Sequence, residues 1–161
     1  MIKPGELQNK ALEVGVRDQQ IEKDYILSWI LQGIAQHEQL STSIVFKGGT
    51  VLKKVYFDDY RFSEDLDYTL PDNEITNEQI FGWFIEVFEY IQDEANIPLE
   101  IIDDNEHEDG GINFYISYVG PLGGVGTNKR VKVDISRSEV LQFEPILKNA
   151  YDEGKLKIIS I

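Results

Sequence analysis

The segment FKGGTVLKKVYFDDYRFSEDLDYTL, residues 46–70, decides the fold because it joins two predicted strands through a pair of glycines. The β-branched and aromatic run SIVFK predicts a strand that stops at Gly48 and Gly49. TVLKKVY then indicates one or two turns of helix, with Thr50 as the cap. DLDYTL predicts the next strand. The two strands therefore flank a flexible, phosphate-sized notch at the start of a short helix.

Two carboxylates leave the second strand from one face. Side chains i and i+2 of a strand point the same way, so Asp65 and Asp67 project together while Leu66 enters the core. Asp134 lies in the alternating run KRVKVDIS, on the face opposite its apolar neighbours, and is the candidate third acid. A divalent cation would keep such clustered acids ionised, and an oxygen-only set suits Mg²⁺ or Mn²⁺. Three carboxylates of this kind can hold two metal ions for in-line displacement at phosphorus.

The glycines supply a place for the anion. Gly48 and Gly49 let the backbone approach a phosphate, and a helix starting near Thr50 directs free N–H groups and a partial positive charge at it. Lys54, four residues beyond Thr50 and on the same predicted helical face, is placed to add a donor. A triphosphate bound here would favour attack of a hydroxyl on its α-phosphate and departure of pyrophosphate.

Composition limits the sites and partners that the chain can have. The 161 residues, 42% of them hydrophobic, are enough for one core and predict a single domain. The absence of cysteine, with only His37 and His107 as histidines, excludes thiolate and histidine-rich zinc sites. Fifteen basic against 29 acidic residues give a formal charge of −14, which opposes non-specific binding to nucleic acid. Without an apolar stretch long enough for a membrane span or a signal region, we expect a cytoplasmic protein and no membrane partner.

The apolar spacing predicts an α+β (α/β) domain with a mixed sheet flanked by helices. A short helix over GELQNKALEV precedes a longer one from Arg17 to His37, and a strong helical stripe runs from Thr76 to Asn96. IPLEIID and INFYISYV predict strands joined by a long solvated loop, and KRVKVDIS and KLKIISI predict two more. Because the sequence ends within an apolar strand, we expect residues 1–161 to be the N-terminal part of a longer protein.

Two charged clusters have a structural interpretation beside a functional one. The acidic loop from Asp103 to Asp109 lacks the regular alternation of an EF-hand, so we expect a solvated turn and not a calcium site. The basic cluster either neutralises nearby acids or helps to hold triphosphate or RNA; its members are Lys129, Arg130, Lys132 and Arg137.

Four stretches together resemble one family. IEKDYILSWIL, FKGGTVLKKVY, RFSEDLDYTL and VKVDIS closely resemble the AbiEii-type nucleotidyltransferases, the toxin components of type IV toxin–antitoxin and abortive-infection systems. The resemblance covers most of the chain and is most specific in KGGT and RFSEDLD. It implies the polymerase-β-like nucleotidyltransferase fold and magnesium-dependent use of a nucleoside triphosphate. It also implies a cognate antitoxin and, as described for relatives, GTP binding or transfer of nucleotides to tRNA ends.

Carried over by motif, the resemblance implies the roles of individual residues. The nucleotide-binding residues would be Gly48, Gly49, Thr50, Lys54 and Ser63, and the catalytic, metal-binding acids would be Asp65, Asp67 and Asp134. Family members continue beyond the equivalent of KLKIISI into a helical region whose lysine and aspartate contribute to activity. We therefore expect these 161 residues to bind metal and triphosphate but to transfer nucleotides poorly by themselves.

Two other functions stay open. A D-x-D glycosyltransferase would also bind a metal–nucleotide, but it places a longer nucleotide-binding half before its acids than the 64 residues that precede Asp65 here. A non-catalytic interaction module of the same fold would bind only a partner protein. The intact Gly49, Asp65, Asp67 and Asp134 argue against such a loss of activity.

Overall fold

A computed structural model of the protein describes residues 1–57, 59, 61–137, 139–141, 144–151 and 154–158, with 148–151 and 154–158 described by their backbone alone. The helices are Pro4–Val14 (α1), Asp18–Gln36 (α2), Glu38–Ser43 (α3), Gly48–Val51 (α4) and Asn77–Ala95 (α5), and a π-helix spans Leu52–Tyr56. The strands are Val45–Lys47 (β1), Asp65–Thr69 (β2), Leu99–Glu106 (β3), Ile112–Tyr118 (β4), Arg130–Ser136 (β5), Ile146–Tyr151 (β6) and Gly154–Ile158 (β7).

The described strands form one mixed sheet in the order β3-β4-β5-β2-β1-β7-β6. Strand β2 lies near its centre, parallel to β5 on one side and antiparallel to β1 on the other. Strands β1 and β7 are also parallel, and the remaining pairs are antiparallel. The expected α+β domain with a mixed sheet flanked by helices is therefore confirmed, and the strand that carries Asp65 and Asp67 lies inside the sheet.

Helices α2 and α5 contribute to the core on one face of the sheet, and their apolar stripes explain why. Buried side chains of both helices join those of the central strands in one cluster, including Ile26, Ile30, Phe84, Val87, Leu66, Phe114 and Val133. Helix α5 begins where its sequence predicts, because the Thr76 hydroxyl accepts from the Gln79 N–H at 3.2 Å and the Gln79 side chain accepts from the Thr76 N–H at 2.9 Å. Burial of this apolar surface is the main stabilising contribution to the fold.

The opposite face of the sheet is polar. Strand β5 alternates strictly, with Val131, Val133 and Ile135 buried while Lys132 and Asp134 are partly exposed, as its sequence predicts. Strand β2 follows the same rule, because Leu66 is buried while Asp67 lies on the other side. The polar face, which we call the open face, is therefore where the carboxylates lie.

Several local predictions need correction. The helix after the glycines begins at Gly48 with Lys47 as its N-cap residue, so the prediction that Thr50 caps it is wrong. The connection between β3 and β4 is shorter than the predicted loop, because β3 continues to Glu106. Helix α3 and strand β6 were not predicted from the sequence pattern. The last predicted strand is present as β7, although the final residues 159–161 of that prediction lie outside the described residues.

Among the residues that the structure describes, no helix combines the length and the apolar character needed to cross a membrane.

Candidate functional site

The pairing of β2 with its neighbours brings the predicted acids onto one face. Asp67 lies directly opposite Asp134 in the parallel ladder of β2 and β5. Asp65, two residues before Asp67, lies on the same face and opposite Lys132. The register therefore places all three carboxylates of the predicted site on neighbouring positions of the open face.

Burial and charge crowding act together on the central acid. Burial raises the pKa of the Asp67 carboxyl above its ordinary value, and the negative charges of Asp65 and Asp134 raise this pKa further. Lys47 and Lys132 act in the opposite direction without cancelling the shift. Asp67 therefore occupies a position where one more positive charge would be favourable.

The donor set can be compared with what a divalent cation needs. Carboxylate oxygens are the ligands that Mg²⁺ and Mn²⁺ prefer. Within the described ranges, no group of three or more His, Asp or Glu side chains is arranged closely enough to hold a metal ion. Asp134 Oδ2 lies instead 3.7 Å from Lys132 Nζ, and these two side chains are 35% and 39% exposed. Exposed ion pairs are weak, and the three acids are of the residue type that a divalent cation prefers.

The glycine turn contacts the central acid. Gly48 has a φ of 79°, in the left-handed region that favours glycine. A Cβ atom added there would overlap the Asp67 carboxylate, so the missing side chain is what lets the turn lie against this acid. At Gly49, an added Cβ would lie 3.4 Å from Ser63 Oγ and 3.7 Å from Arg61 Nη2. The structure thus brings the predicted phosphate turn together with Ser63 and Asp67, and it adds an exposed guanidinium.

Thr50 has a structural contact where a phosphate contact was predicted. Its side chain is buried, and its hydroxyl donates to the main-chain oxygen of Asp65. Helix α4 is therefore tied to the first residue of β2. This hydrogen bond helps to hold the glycine turn beside the acids. Because the hydroxyl proton is already donated to Asp65, it is not available to a phosphate in this structure.

Lys54 is not brought to the acids in this structure. Its ammonium lies 2.7 Å from Asp24 Oδ1 and 2.9 Å from Ser28 Oγ, both on α2. The prediction assumed one continuous α-helix from Thr50, but the chain from Leu52 to Tyr56 is a π-helix, and its Lys54 side chain pairs with α2.

Lys47 is a site residue that sequence reasoning missed. It pairs with Asp67 across β1 and β2, and its ammonium donates to Ser136 Oγ at 3.0 Å and to Glu139. Glu139 also accepts from the Thr69 hydroxyl at 2.8 Å, and both bonds lower the pKa of the Glu139 carboxyl. The position of Lys47 just before the glycines could have suggested a role in the site. Its pairing with Asp67 could not be predicted, because it depends on the register of two strands.

The basic cluster mostly follows its structural interpretation. Lys129 pairs with the buried Glu22, Arg130 lies 3.4 Å from Asp103, and Lys132 is the partner of Asp134. Arg137 donates to the main-chain oxygens of Ile75 and Gly110 and to the Asn77 side chain. Lys132 is the member of the cluster that lies directly beside the acids, because it is opposite Asp65 in the ladder of β2 and β5.

Comparison with known proteins places this arrangement in a family. The family model described as nucleotidyl transferase AbiEii toxin, type IV TA system, matches residues 29–158. No curated protein matches the sequence.

Two solved structures share the fold. A protein from H. pylori described as a candidate nucleotidyltransferase has a TM-score of 0.61 and 19% identity, over 91% of this chain and 56% of that chain. JHP933 from Helicobacter pylori has a TM-score of 0.60 and 19% identity, over 90% of this chain and 53% of that chain. These similarities confirm the expected nucleotidyltransferase fold, and the chain spans about half the length of the structures it matches.

Proposed function

Because the chain belongs to the AbiEii nucleotidyl transferase toxin family of type IV toxin–antitoxin systems, we propose that it transfers a nucleotide from a nucleoside triphosphate to an acceptor hydroxyl, with Mg²⁺ or Mn²⁺ as cofactor. The observation that carries this proposal is the contact between the backbone of Gly48 and the carboxylate of Asp67. That contact supports the proposal because the turn that would bind the phosphates lies against one of the acids that would bind the metal.

The metal ligands in this proposal are Asp65, Asp67 and Asp134. Their placement on one face and the raised pKa of Asp67 support the assignment. Held by these three carboxylates, a divalent cation would offset the negative charge that develops during transfer.

The glycine turn would bind the triphosphate. Main-chain N–H groups at Gly48 and Gly49 can approach phosphate oxygens closely because neither residue has a side chain. The Ser63 hydroxyl and the Arg61 guanidinium flank Gly49 and would add donors. These groups would hold the α-phosphate beside Asp67 and keep the pyrophosphate on the side of the turn.

The transfer itself exchanges one phosphorus–oxygen bond for another. The acceptor hydroxyl oxygen would bond to the α-phosphorus, the bond from that phosphorus to the bridging oxygen would break, and pyrophosphate would leave. Asp134 would take the proton of the hydroxyl; the support for this role is that Asp134 borders a cleft of about 420 Å³ between β5 and the turn that contains His107. The cleft would give the acceptor access to Asp134.

The acceptor we propose first is the terminal hydroxyl of an RNA such as tRNA, and the family implies a cognate antitoxin for the whole protein. The formal charge of −14 would oppose loose binding of RNA. Recognition of an RNA end would therefore depend on basic residues close to the bound acceptor, because the protein as a whole repels RNA. Cytoplasmic localisation stays a prediction of the sequence.

A labelled-nucleotide transfer assay tests the function. The 161-residue chain and a longer version of the protein are each incubated with the four labelled triphosphates, an RNA pool, and Mg²⁺ or EDTA. We expect metal-dependent labelling of RNA by the longer protein and its loss in Asp67→Asn. Thermal shifts with each triphosphate report binding separately.

Two results would contradict the proposal. Labelling that persists in Asp67→Asn or in EDTA would contradict the metal site. No triphosphate binding by either protein would favour the non-catalytic interaction module.

A further inference from the structure

The ammonium of Lys54 is fully engaged with helix α2. Nζ lies 2.7 Å from Asp24 Oδ1, 2.9 Å from Ser28 Oγ and 3.3 Å from the main-chain oxygen of Asp24. An ammonium has three N–H donors, and these three oxygens match them. The contacts therefore describe an anchor between the segment after the glycine turn and the middle of α2.

This anchor is largely shielded from water. The side chains of Lys54 and Asp24 are 13% and 26% exposed. Burial lowers the pKa of the Lys54 ammonium, while the charge of Asp24 and its hydrogen bond oppose that change. A pair in this setting is sensitive to loss of one partner, because the remaining charge stays shielded without compensation.

The anchor holds a segment whose helical elements are short. Helix α4 has four residues, and the π-helix that contains Lys54 follows it directly. π-Helices are rare and often occur at functional sites. The Thr50 hydroxyl ties this segment to the main chain of Asp65, and Lys54 ties it to α2. The two ties together fix the start of α4, which is the glycine turn.

We propose that Asp24 and Lys54 are positioning residues for the phosphate turn, because their pair holds the π-helix and α4 so that Gly48 and Gly49 lie beside Asp67. Neither residue contacts the triphosphate in this proposal. The inference rests on the proposed function, since it supposes that the turn binds a triphosphate.

A direct contact between Lys54 and phosphate would be the alternative, and it predicts a different order of variants. If Lys54 bound phosphate, Asp24→Asn would release the ammonium and leave triphosphate affinity unchanged or higher. If the pair positions the turn, Asp24→Asn and Lys54→Met both weaken triphosphate binding. The isosteric Asp24→Asn variant therefore separates the two roles.

The experiment compares Asp24→Asn, Lys54→Met and the double variant in the full-length protein. Lys10→Met is the control, because Lys10 forms an exposed ion pair with Glu13 on α1. Dissociation constants for magnesium–ATP and magnesium–GTP, with KM and kcat for transfer, are measured at a temperature where circular dichroism shows every variant folded. Amide hydrogen exchange of residues 48–57 is followed without nucleotide.

We expect each single variant to raise the dissociation constant and KM roughly tenfold, since small misplacements of binding groups cost this much or more. The double variant should bind no more weakly than the weaker single variant, because both changes remove one pair. Exchange in residues 48–57 should become faster in all three, while Lys10→Met behaves as wild type.

Three results would overturn the inference. Wild-type affinity in Asp24→Asn with weak binding in Lys54→Met would make Lys54 a phosphate ligand. Wild-type affinity in both variants would show that the pair has no role in positioning. Unchanged exchange in residues 48–57 would show that the pair does not anchor this segment. If the wild-type protein itself bound no triphosphate, the proposed function would fail, and the exchange data would still report on the anchor alone.

Discussion

Helix α2 and the open face of the sheet hold their acidic side chains in opposite ways. On α2, two acids each have an ammonium partner: Glu22 pairs with Lys129 and Asp24 pairs with Lys54. On the open face the acids lie beside one another, and burial together with the charges of Asp65 and Asp134 raises the pKa of Asp67 despite the nearby Lys47 and Lys132. The acids of α2 are paired within the fold, whereas those of the open face are left crowded.

The difference separates acids that stabilise the fold from acids that are available to a ligand. A paired, buried carboxylate gives up its hydration and depends on its partner. Crowded carboxylates on an accessible face repel one another, which destabilises the folded protein until a cation binds. Removing a partner on α2 should therefore destabilise the protein, and removing an acid on the open face should stabilise it when no metal is present.

The largest effect should come from Lys129→Met. Glu22 is fully buried, its carboxylate accepts from Lys129 and, at 2.9 Å, from the Leu122 N–H, and Gly120 packs against it. Losing the ammonium leaves a buried charge, so we expect a loss of about 3–5 kcal/mol in the free energy of unfolding. Urea unfolding at neutral pH measures this free energy for both proteins.

An exposed pair provides the control for that measurement. Lys10→Met removes an ion pair on α1 whose side chains are 56% and 69% exposed, and it should change stability by less than about 0.5 kcal/mol. Equal effects of Lys129→Met and Lys10→Met would show that burial of Glu22 does not set the cost.

The next largest effect should come from Gly48→Ala. The φ of 79° is unfavourable for alanine by about 1–2 kcal/mol, and the new methyl group would overlap Asp67. We expect a loss of stability of about 2 kcal/mol or more, because the overlap adds to this strain, together with loss of triphosphate binding in thermal-shift titrations.

Gly82→Ala is the matched control for the glycine turn. Gly82 lies on the exposed side of α5, where an added Cβ has open space, so this variant should gain up to about 1 kcal/mol from helix propensity. If both alanine variants bound triphosphate like the wild type, the turn beside Asp67 would not be the phosphate site.

A smaller and opposite effect is expected for Asp67→Asn without metal. Because folding raises the pKa of Asp67, the protonated acid favours the folded state at low pH, and that contribution is lost as pH rises through the folded pKa. Asparagine does not ionise, so the variant does not lose stability as pH rises. At neutral pH in EDTA its free energy of unfolding should exceed that of wild type by about 0.2–1 kcal/mol, the range for a cross-strand pair. Unfolding titrations from pH 4 to pH 8 give the difference.

Magnesium should reverse this order. Wild type should gain stability from the cation and Asp67→Asn should gain less, because a bound ligand stabilises the state that binds it. A constant difference between the two proteins across pH, with equal responses to magnesium, would contradict the assignment of Asp67.

The sequence allowed prediction of whatever depends on local periodicity. The stripes of α2 and α5, the alternation in β5 and the shared face of Asp65 and Asp67 were all confirmed. The glycine pair followed by the D-L-D triplet predicted that the turn and the acids share one site, and Gly48 does lie against Asp67.

What failed depends on contacts between distant segments. The partner of Lys54 lies 30 residues earlier in the chain. The residues Leu52–Tyr56 also carry no sequence signal that distinguishes a π-helix from an α-helix. The pairing of Lys47 with Asp67 follows from the register of β1 and β2, which the pattern of either strand alone does not give. The paired acids of α2 were missed for the same reason, since Glu22 and Lys129 are 107 positions apart.

The smallest effect, and the one that sharpens the comparison most, concerns Lys132. Its ammonium lies 3.7 Å from Asp134, and both side chains are about one third exposed, so Lys132→Met without metal should cost only about 0.5 kcal/mol. Lys132 also holds down the pKa of Asp67, so its loss should increase the crowding. With no ammonium to displace from Asp134, magnesium should then raise the melting temperature of Lys132→Met more than that of wild type. A smaller magnesium response would mean that Lys132 helps to bind the ligand, and the open face would then hold its acids by pairing, as α2 does.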